Sequence, residues 1–70
     1  MRRDVVTQVI VTWENGYWEN FPTPLEAQFF INDHLDDLGV PIAAWLEDMQ
    51  GKKKWDYTII ELAEGILLQS

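Results

Sequence analysis

The stretch from Thr23 to Gly39 constrains the fold of this 70-residue chain most, because it carries both the start and the stop signals of a helix. Thr23 can cap the helix with its hydroxyl, and Pro24 suits the first helical position, where the N–H has no intrahelical partner. The Glu26 carboxylate can reach back to the Thr23 N–H. Gly39 can adopt the left-handed conformation that ends a helix. The sequence therefore predicts a helix that runs to about Leu38.

Apolar side chains recur at helical spacing between these signals and define one face of the predicted helix. The face comprises Ala27, Phe30, Ile31, His34, Leu35 and Leu38. A helix with one apolar face must bury that face against another layer of secondary structure. We therefore expect most of the remaining chain to form a sheet that covers it.

The length of the chain allows one compact domain over residues 1–70, with frayed ends. A core of this size rarely contributes more than about 3–5 kcal/mol to stability. The chain has no Cys and one His, which excludes disulfides, thiolate metal sites and His-rich metal sites. Four Trp, three Phe and two Tyr predict a dense aromatic core instead.

The N-terminal region is typical of a β-hairpin. Residues 5–13 are rich in β-branched side chains and predict one strand, and residues 17–21 predict the returning strand. Asn15-Gly16 between them is typical of a two-residue type I′ turn. In that register Trp13 pairs with Trp18.

The same register sorts the side chains of the hairpin into two faces, because successive residues of a strand point to opposite sides. The face predicted to meet the helix holds Val9, Val11, Trp13 and Trp18. The other face holds Val6, Ile10, Thr12, Tyr17, Glu19 and Phe21. Ile10, Tyr17 and Phe21 form an apolar cluster there, and a Tyr-containing apolar patch is typical of an interface.

Residues 41–50 allow two interpretations. Four apolar residues spaced i, i+3, i+4 and i+7 favour a short helix. They are Ile42, Trp45, Leu46 and Met49. A strand at 42–47 would instead pair with a strand at 55–62 across a polar loop at 48–54.

We favour the second hairpin, because a strand at 55–62 is apolar on both faces and gains from a neighbouring strand. The predicted fold is a small α+β domain of ββαββ type, with an antiparallel sheet and one helix packed on one face. The alternative is ββααβ, with a second short helix at 41–50.

The formal net charge of −7, from 12 acidic and 5 basic residues, restricts the classes of partner. Direct nucleic-acid binding depends on Lys and Arg and is not expected. A negative surface favours a partner protein with a basic surface. No apolar run approaches 18 residues and no signal peptide is evident, so we expect no membrane span and a cytoplasmic location.

His34 is the candidate for acid–base chemistry, since Asp33, Asp36 and Asp37 lie close to it in sequence. The three acids are also candidates for a metal site. A catalytic site needs several convergent groups, and these acids lack the loop pattern of a calcium site. We therefore predict a solvated acidic helix, no enzyme activity, no catalytic residues, no metal and no cofactor.

In size, charge and lack of catalytic groups the chain resembles small acidic proteins of phages and other mobile elements, including DNA mimics and inhibitors of bacterial defence systems. This likeness implies a non-enzymatic protein that inhibits or modulates a basic, nucleic-acid-handling partner. The expected acidic contacts are Glu26, Asp33, Asp36, Asp37, Glu47 and Asp48, and the expected apolar contacts are Ile10, Tyr17 and Phe21.

The alternative function is a structural homodimer or interaction module that uses the outer face of the sheet. An apolar run close to the C-terminal end needs a surface to cover it. The candidate dimer contacts are therefore Ile66, Leu67 and Leu68.

Overall fold

The structure is a computed structural model that describes residues 7–70, and these residues form one helix and five strands. In chain order the elements are β1 (Gln8–Thr12), β2 (Trp18–Phe21), α1 (Pro24–Asp33), β3 (Ala43–Glu47), β4 (Lys53–Leu62) and β5 (Gly65–Gln69). The strands form an antiparallel sheet in the order β2-β1-β3-β4-β5. The predicted α+β class is confirmed. The predicted frayed end at Met1–Asp4 and the predicted strand start at Val5 and Val6 lie outside the described residues.

The predicted ββαββ order missed the last strand, because the structure is ββαβββ. β5 follows β4 through a turn at Ala63 and Glu64, and neither residue type signals a hairpin turn. The predicted second hairpin is confirmed, since Ala44 pairs with Tyr57 and Trp45 pairs with Asp56. β4 lies between β3 and β5, as expected for a strand that is apolar on both faces.

The alternative helix at 41–50 is wrong. β3 pairs with β1 on one side and with β4 on the other, so it is held by ladders along both of its edges. Helix propensity differs by less than about 1 kcal/mol between ordinary residues, and tertiary pairing overrides it here. In the described residues, no helix has the length and apolar character that crossing a membrane requires.

The start of α1 follows the prediction in most respects. The Thr23 hydroxyl accepts a hydrogen bond from the Glu26 N–H at 3.2 Å, and Pro24 occupies the first turn. The Glu26 carboxylate accepts from the Thr23 hydroxyl at 3.4 Å, whereas we predicted that it would accept from the Thr23 N–H. The cap therefore forms with a different second hydrogen bond.

The end of α1 lies at Asp33, earlier than predicted, and residues 34–38 form turns. Asn and Asp are weak helix formers, and carboxylates near the C-terminal end of a helix oppose its dipole. The turns keep a helical hydrogen bond from the Leu38 N–H to the His34 carbonyl at 2.8 Å. Gly39 has φ +79° and adopts the left-handed conformation predicted for it.

A single buried cluster joins the helix to the strands. It contains Val9, Val11, Trp13, Ala27, Ile31, Ala44, Leu46, Ile66 and Leu68. Phe30, Leu35 and Leu38 are half-buried against it, which confirms the predicted apolar side of the helix. The Trp13 indole N–H donates to the Gly39 carbonyl at 3.2 Å and ties the first hairpin to the segment after α1.

The first hairpin differs from the prediction by one residue in register, since Thr12 rather than Trp13 pairs with Trp18. The Trp13 N–H donates to the Tyr17 carbonyl at 2.9 Å, which closes a three-residue loop. A type I′ turn needs positive φ at both central residues, but Gly16 alone has it, at +93°. The Asn15 side chain instead accepts from the Tyr17 N–H at 3.0 Å, a local bond that accompanies the longer loop.

This one-residue slip moves the side chains of β2 to the opposite faces. Phe21 lies on the core side, with its ring centroid 5.1 Å from that of Phe30. Tyr17 packs on Trp13, at 5.5 Å between ring centroids. The predicted Trp13–Trp18 pair and the predicted outer cluster of Ile10 with Tyr17 and Phe21 are therefore wrong.

Candidate functional site

The solvent side of α1 carries two large apolar side chains that the core does not use. Leu25 is 58% exposed and Phe29 is 63% exposed, whereas Ala27 and Ile31 of the same helix are fully buried. Residues four apart are neighbours on a helix surface. Leu25 and Phe29 therefore form a continuous apolar stripe that faces solvent.

Carboxylates flank this stripe. Glu26 lies three residues before Phe29, Asp33 lies four residues after it, and both are exposed. Asp36 is exposed in the turn that follows. We name Leu25, Glu26, Phe29, Asp33 and Asp36 the acidic helix surface. The surface combines an apolar anchor with acidic neighbours, which suits a partner that is both apolar and basic.

The distribution of basic residues sharpens this charge pattern. All five Lys and Arg residues lie at positions 2, 3 and 52–54. The segment between them contains nine acids, which are Asp4, Glu14, Glu19, Glu26, Asp33, Asp36, Asp37, Glu47 and Asp48. The acidic helix surface is therefore part of a long segment without any Lys or Arg.

His34 and Asp37 form a local pair beside this surface. His34 Nδ1 lies 3.1 Å from Asp37 Oδ2, and this hydrogen bond is the main reason that the pKa of Asp37 is lowered. The imidazole also stacks on Phe30, with the ring centroids 4.2 Å apart. In residues 7–70, no three His, Cys, Asp or Glu side chains are grouped so as to hold a metal ion. The pair links the turn after α1 to the helix.

The other two predicted acidic contacts lie elsewhere. Glu47 pairs with Gln8 at the start of β1. The segment after α1 is held at the other end of β1, where Trp13 bonds to Gly39. Asp48 Oδ1 accepts from the backbone N–H groups of Lys52 and Gln50, both at 2.9 Å. These hydrogen bonds, with that from Lys52 the larger effect, lower the pKa of Asp48. The six predicted acids thus do not form one patch.

The predicted apolar contacts are also dispersed. Ile10 is buried on the face of β1 opposite the core cluster. Partial burial raises the pKa of Tyr17, and its hydroxyl donates to the Glu19 carboxylate at 3.2 Å. Phe21 is half-buried against the core.

The predicted dimer contacts divide in the same way. Ile66 and Leu68 belong to the core cluster, and Leu67 alone of the three lies on the opposite face of β5.

No family model, curated protein or solved structure matches the chain. The chemistry of the described surfaces is therefore the basis for a functional proposal.

Leu25 and Phe29 were not among the predicted contacts. The predicted apolar residues of the helix lie on its buried face, and these two residues fall on the other side of the helical wheel. Their spacing of four residues, away from the face that holds Ala27 and Ile31, is the signal that could have identified them. Large apolar residues on the solvent side of a predicted helix are candidates for an interface.

Proposed function

We propose that this protein acts by binding a basic partner protein through the acidic helix surface, and not by catalysis. The observation that carries the proposal is the 63% exposure of Phe29, a large aromatic residue with Leu25, Glu26 and Asp33 as its helix neighbours. Exposed aromatic residues are frequent anchors at interfaces. Carboxylates around the anchor favour encounter with a positively charged surface.

The proposal requires α1 to lie on the core face of the sheet, so that its other side is available to a partner. Ala27 and Ile31 support this placement, because they share one buried cluster with Val9 and Val11 of the central region of the sheet. The side chains of Gln28 and Asn32 bond to the edge of β5, which fixes a second side of α1 and leaves the side with Leu25 and Phe29 in solvent.

We propose further that the partner is a nucleic-acid-handling protein, which this chain inhibits or modulates by occupying its phosphate-binding surface. Support comes from the net charge of −7 and from the exposed carboxylates of Glu26 and Asp33 on α1 and of Asp36 in the turn after it. Spaced carboxylates can take the place of phosphates against Lys and Arg. The proposed setting is the bacterial cytoplasm, with the protein supplied by a phage or another mobile element.

The test compares two triple variants of equal charge. One carries Glu26→Lys, Asp33→Lys and Asp36→Lys, the three carboxylates of the acidic helix surface. The other carries Glu14→Lys, Glu61→Lys and Glu64→Lys, which are exposed acids outside the helix. Each change of three acids to Lys adds six charges, so both variants go from −7 to −1. Circular dichroism establishes that both are folded.

Each protein is immobilised and exposed to extract from the source cell, and the bound protein is eluted with graded salt and with competing DNA. The wild type should retain a basic nucleic-acid-binding protein that DNA displaces. The helix variant should lose it, and the control variant should keep most of it. Equal retention by the helix variant at low salt would contradict the proposal, as would equal loss by both variants.

The apolar part of the surface has its own test. Leu25→Ser with Phe29→Ser leaves the charge unchanged and removes the stripe. The captured partner should bind this variant more weakly, by about tenfold or more, because a desolvated aromatic anchor contributes about 2 kcal/mol. Unchanged affinity would show that Phe29 is not an anchor.

A second candidate function is a homodimer, which the outer face of the β4–β5 hairpin favours. Ile60 pairs with Leu67 there, and the neighbouring Leu62 is 49% exposed. This patch replaces the predicted contact through Ile66 and Leu68, which the core uses. Sedimentation equilibrium tests it: Leu67→Glu should convert a dimer to a monomer, and a wild-type monomer at high micromolar concentration would exclude it.

A further inference from the structure

A groove of about 320 Å³ lies on the face of the sheet opposite the core cluster. It is lined by Gln8, Ile10, Trp18, Asn20, Trp45 and Glu47. Ile10 is only 7% exposed and forms the floor. Trp18 is 59% exposed. It lies on the groove side of the sheet because it pairs with Thr12. The groove shares no residue with the acidic helix surface.

Two indole rings stand on either side of the floor. Trp18 belongs to β2 and Trp45 to β3, and β1 lies between these strands. Trp18 pairs with Thr12 and Trp45 pairs with Ile10, so the two tryptophans are diagonal neighbours across β1, with their backbones about 12 Å apart. This spacing suits a flat, partly apolar group lying along Ile10.

Two contacts indicate the charge of that group. Glu47 Oε2 accepts from the Trp45 indole N–H at 2.9 Å, which holds a carboxylate beside the ring. The ammonium of Lys53 lies 5.0 Å from the centroid of the Trp45 ring. The same ammonium donates to Asp56 Oδ1 at 3.0 Å, so this ring and a carboxylate together hold a cation here, as the negative face of an indole can.

From these contacts we infer that the groove binds the guanidinium group of an arginine presented by another protein. A guanidinium is planar, stacks on indole rings and bonds to a carboxylate through paired N–H donors. Trp18 and Trp45 supply the rings, and Glu47 supplies the carboxylate. The inference goes beyond the proposed function, because it concerns another surface and other residues.

The experiment uses the intact protein with acetyl-arginine-amide as the probe, followed through the indole N–H signals in nitrogen-15 spectra. The four tryptophans provide internal controls, since Trp13 is buried and bonded to Gly39, and Trp55 lies opposite Leu46 on the other face of the sheet. The probe should shift the signals of Trp18 and Trp45 and leave those of Trp13 and Trp55 in place. Acetyl-citrulline-amide, which has the same shape without the charge, should shift neither pair.

Matched variants identify the residues that bind. Trp18→Ala and Glu47→Gln should each weaken arginine binding by about threefold or more, and Glu64→Gln should leave it unchanged. Lys53→Met removes the competing cation and should strengthen binding by about twofold to fivefold, whereas Lys54→Met should not. The double change of Leu25 and Phe29 to Ser should have no effect, which separates this site from the acidic helix surface.

Three results would overturn the inference. The first is equal shifts with the citrulline probe. The second is a response of Trp18 and Trp45 to a neutral oligosaccharide but not to arginine, which would make the groove a sugar site. The third is a shift of both signals on simple dilution of the protein, which would mean that a second copy of the chain covers the groove.

Discussion

The side-chain amide of Asn32 pairs with the backbone of Ile66 as a neighbouring strand would. Asn32 Oδ1 accepts from the Ile66 N–H at 2.7 Å, and Asn32 Nδ2 donates to the Ile66 carbonyl at 3.1 Å. One helical turn earlier, Gln28 Oε1 accepts from the Leu68 N–H at 2.9 Å. β5 is the last strand of the sheet, so two amides of α1 cover the edge it would otherwise expose. Covered edges resist pairing with other chains.

Asn32→Ala should therefore destabilise the fold and expose the edge of β5. We expect the free energy of unfolding to fall by about 1–3 kcal/mol, because the half-buried N–H of Ile66 loses its acceptor. Urea denaturation measures the loss, and hydrogen exchange should become faster at the Ile66 amide. Asn32→Asp keeps the acceptor but places it against the Ile66 carbonyl, so its cost should be intermediate. Unchanged exchange at Ile66 would contradict the edge role of Asn32.

Gly65 is needed for the same contact. Its φ is +143°, and a Cβ at this position would lie 2.9 Å from Cγ of Asn32. Gly65→Ala should cost about 2–3 kcal/mol, from backbone strain and the clash together. Gly51 also has positive φ, but a Cβ added there meets open space. Gly51→Ala should therefore lower the free energy of unfolding by only about 1 kcal/mol. In an Asn32→Ala background the cost of Gly65→Ala should shrink, since the clash is gone, and strict additivity would contradict this coupling.

The parts of the fold that the sequence predicted have local causes. The cap at Thr23 and Pro24 and the apolar side of α1 follow from signals within a few residues of one another. The second hairpin follows from two apolar strands separated by a polar loop. The edge cover by Asn32 has no such signal, because its partner Ile66 is 34 residues away in sequence.

The register of the first hairpin and the candidate sites were harder to predict for a related reason. Asn15-Gly16 is compatible with loops of two or three residues, and a side-chain bond to the Tyr17 N–H accompanies the longer loop. One residue of slip moved Trp18 into the groove and Phe21 into the core side. A one-residue error in the predicted register therefore also gives the wrong residues for any site on a face of the strand.

The opposite placement of Trp13 and Trp18 gives a matched pair of substitutions. Trp13→Phe removes the indole N–H that bonds to Gly39 and leaves a gap in the core, so we expect a cost of about 2 kcal/mol. Trp18→Phe should change stability by less than about 0.5 kcal/mol, because the side chain is mostly in solvent. Thermal unfolding of the two variants side by side measures the contrast. Equal losses would favour the two-residue turn, in which both tryptophans face the core.

Two carboxyl groups, Asp48 in the loop between β3 and β4 and Asp37 in the turn after α1, should make stability depend on pH. Backbone N–H groups bonded to Asp48, and the His34 contact of Asp37, lower the pKa of both carboxyls in the folded state. Their contribution to stability is therefore complete above the unfolded pKa of about 3.9 and is lost as pH falls through the lower folded values. Asp48→Asn keeps an acceptor for both N–H groups but does not titrate. Urea midpoints measured from pH 7 to pH 2 should show the wild type above this variant at neutral pH, with the two converging in acid. A constant gap across that range would mean that the charge of Asp48 does not stabilise the loop.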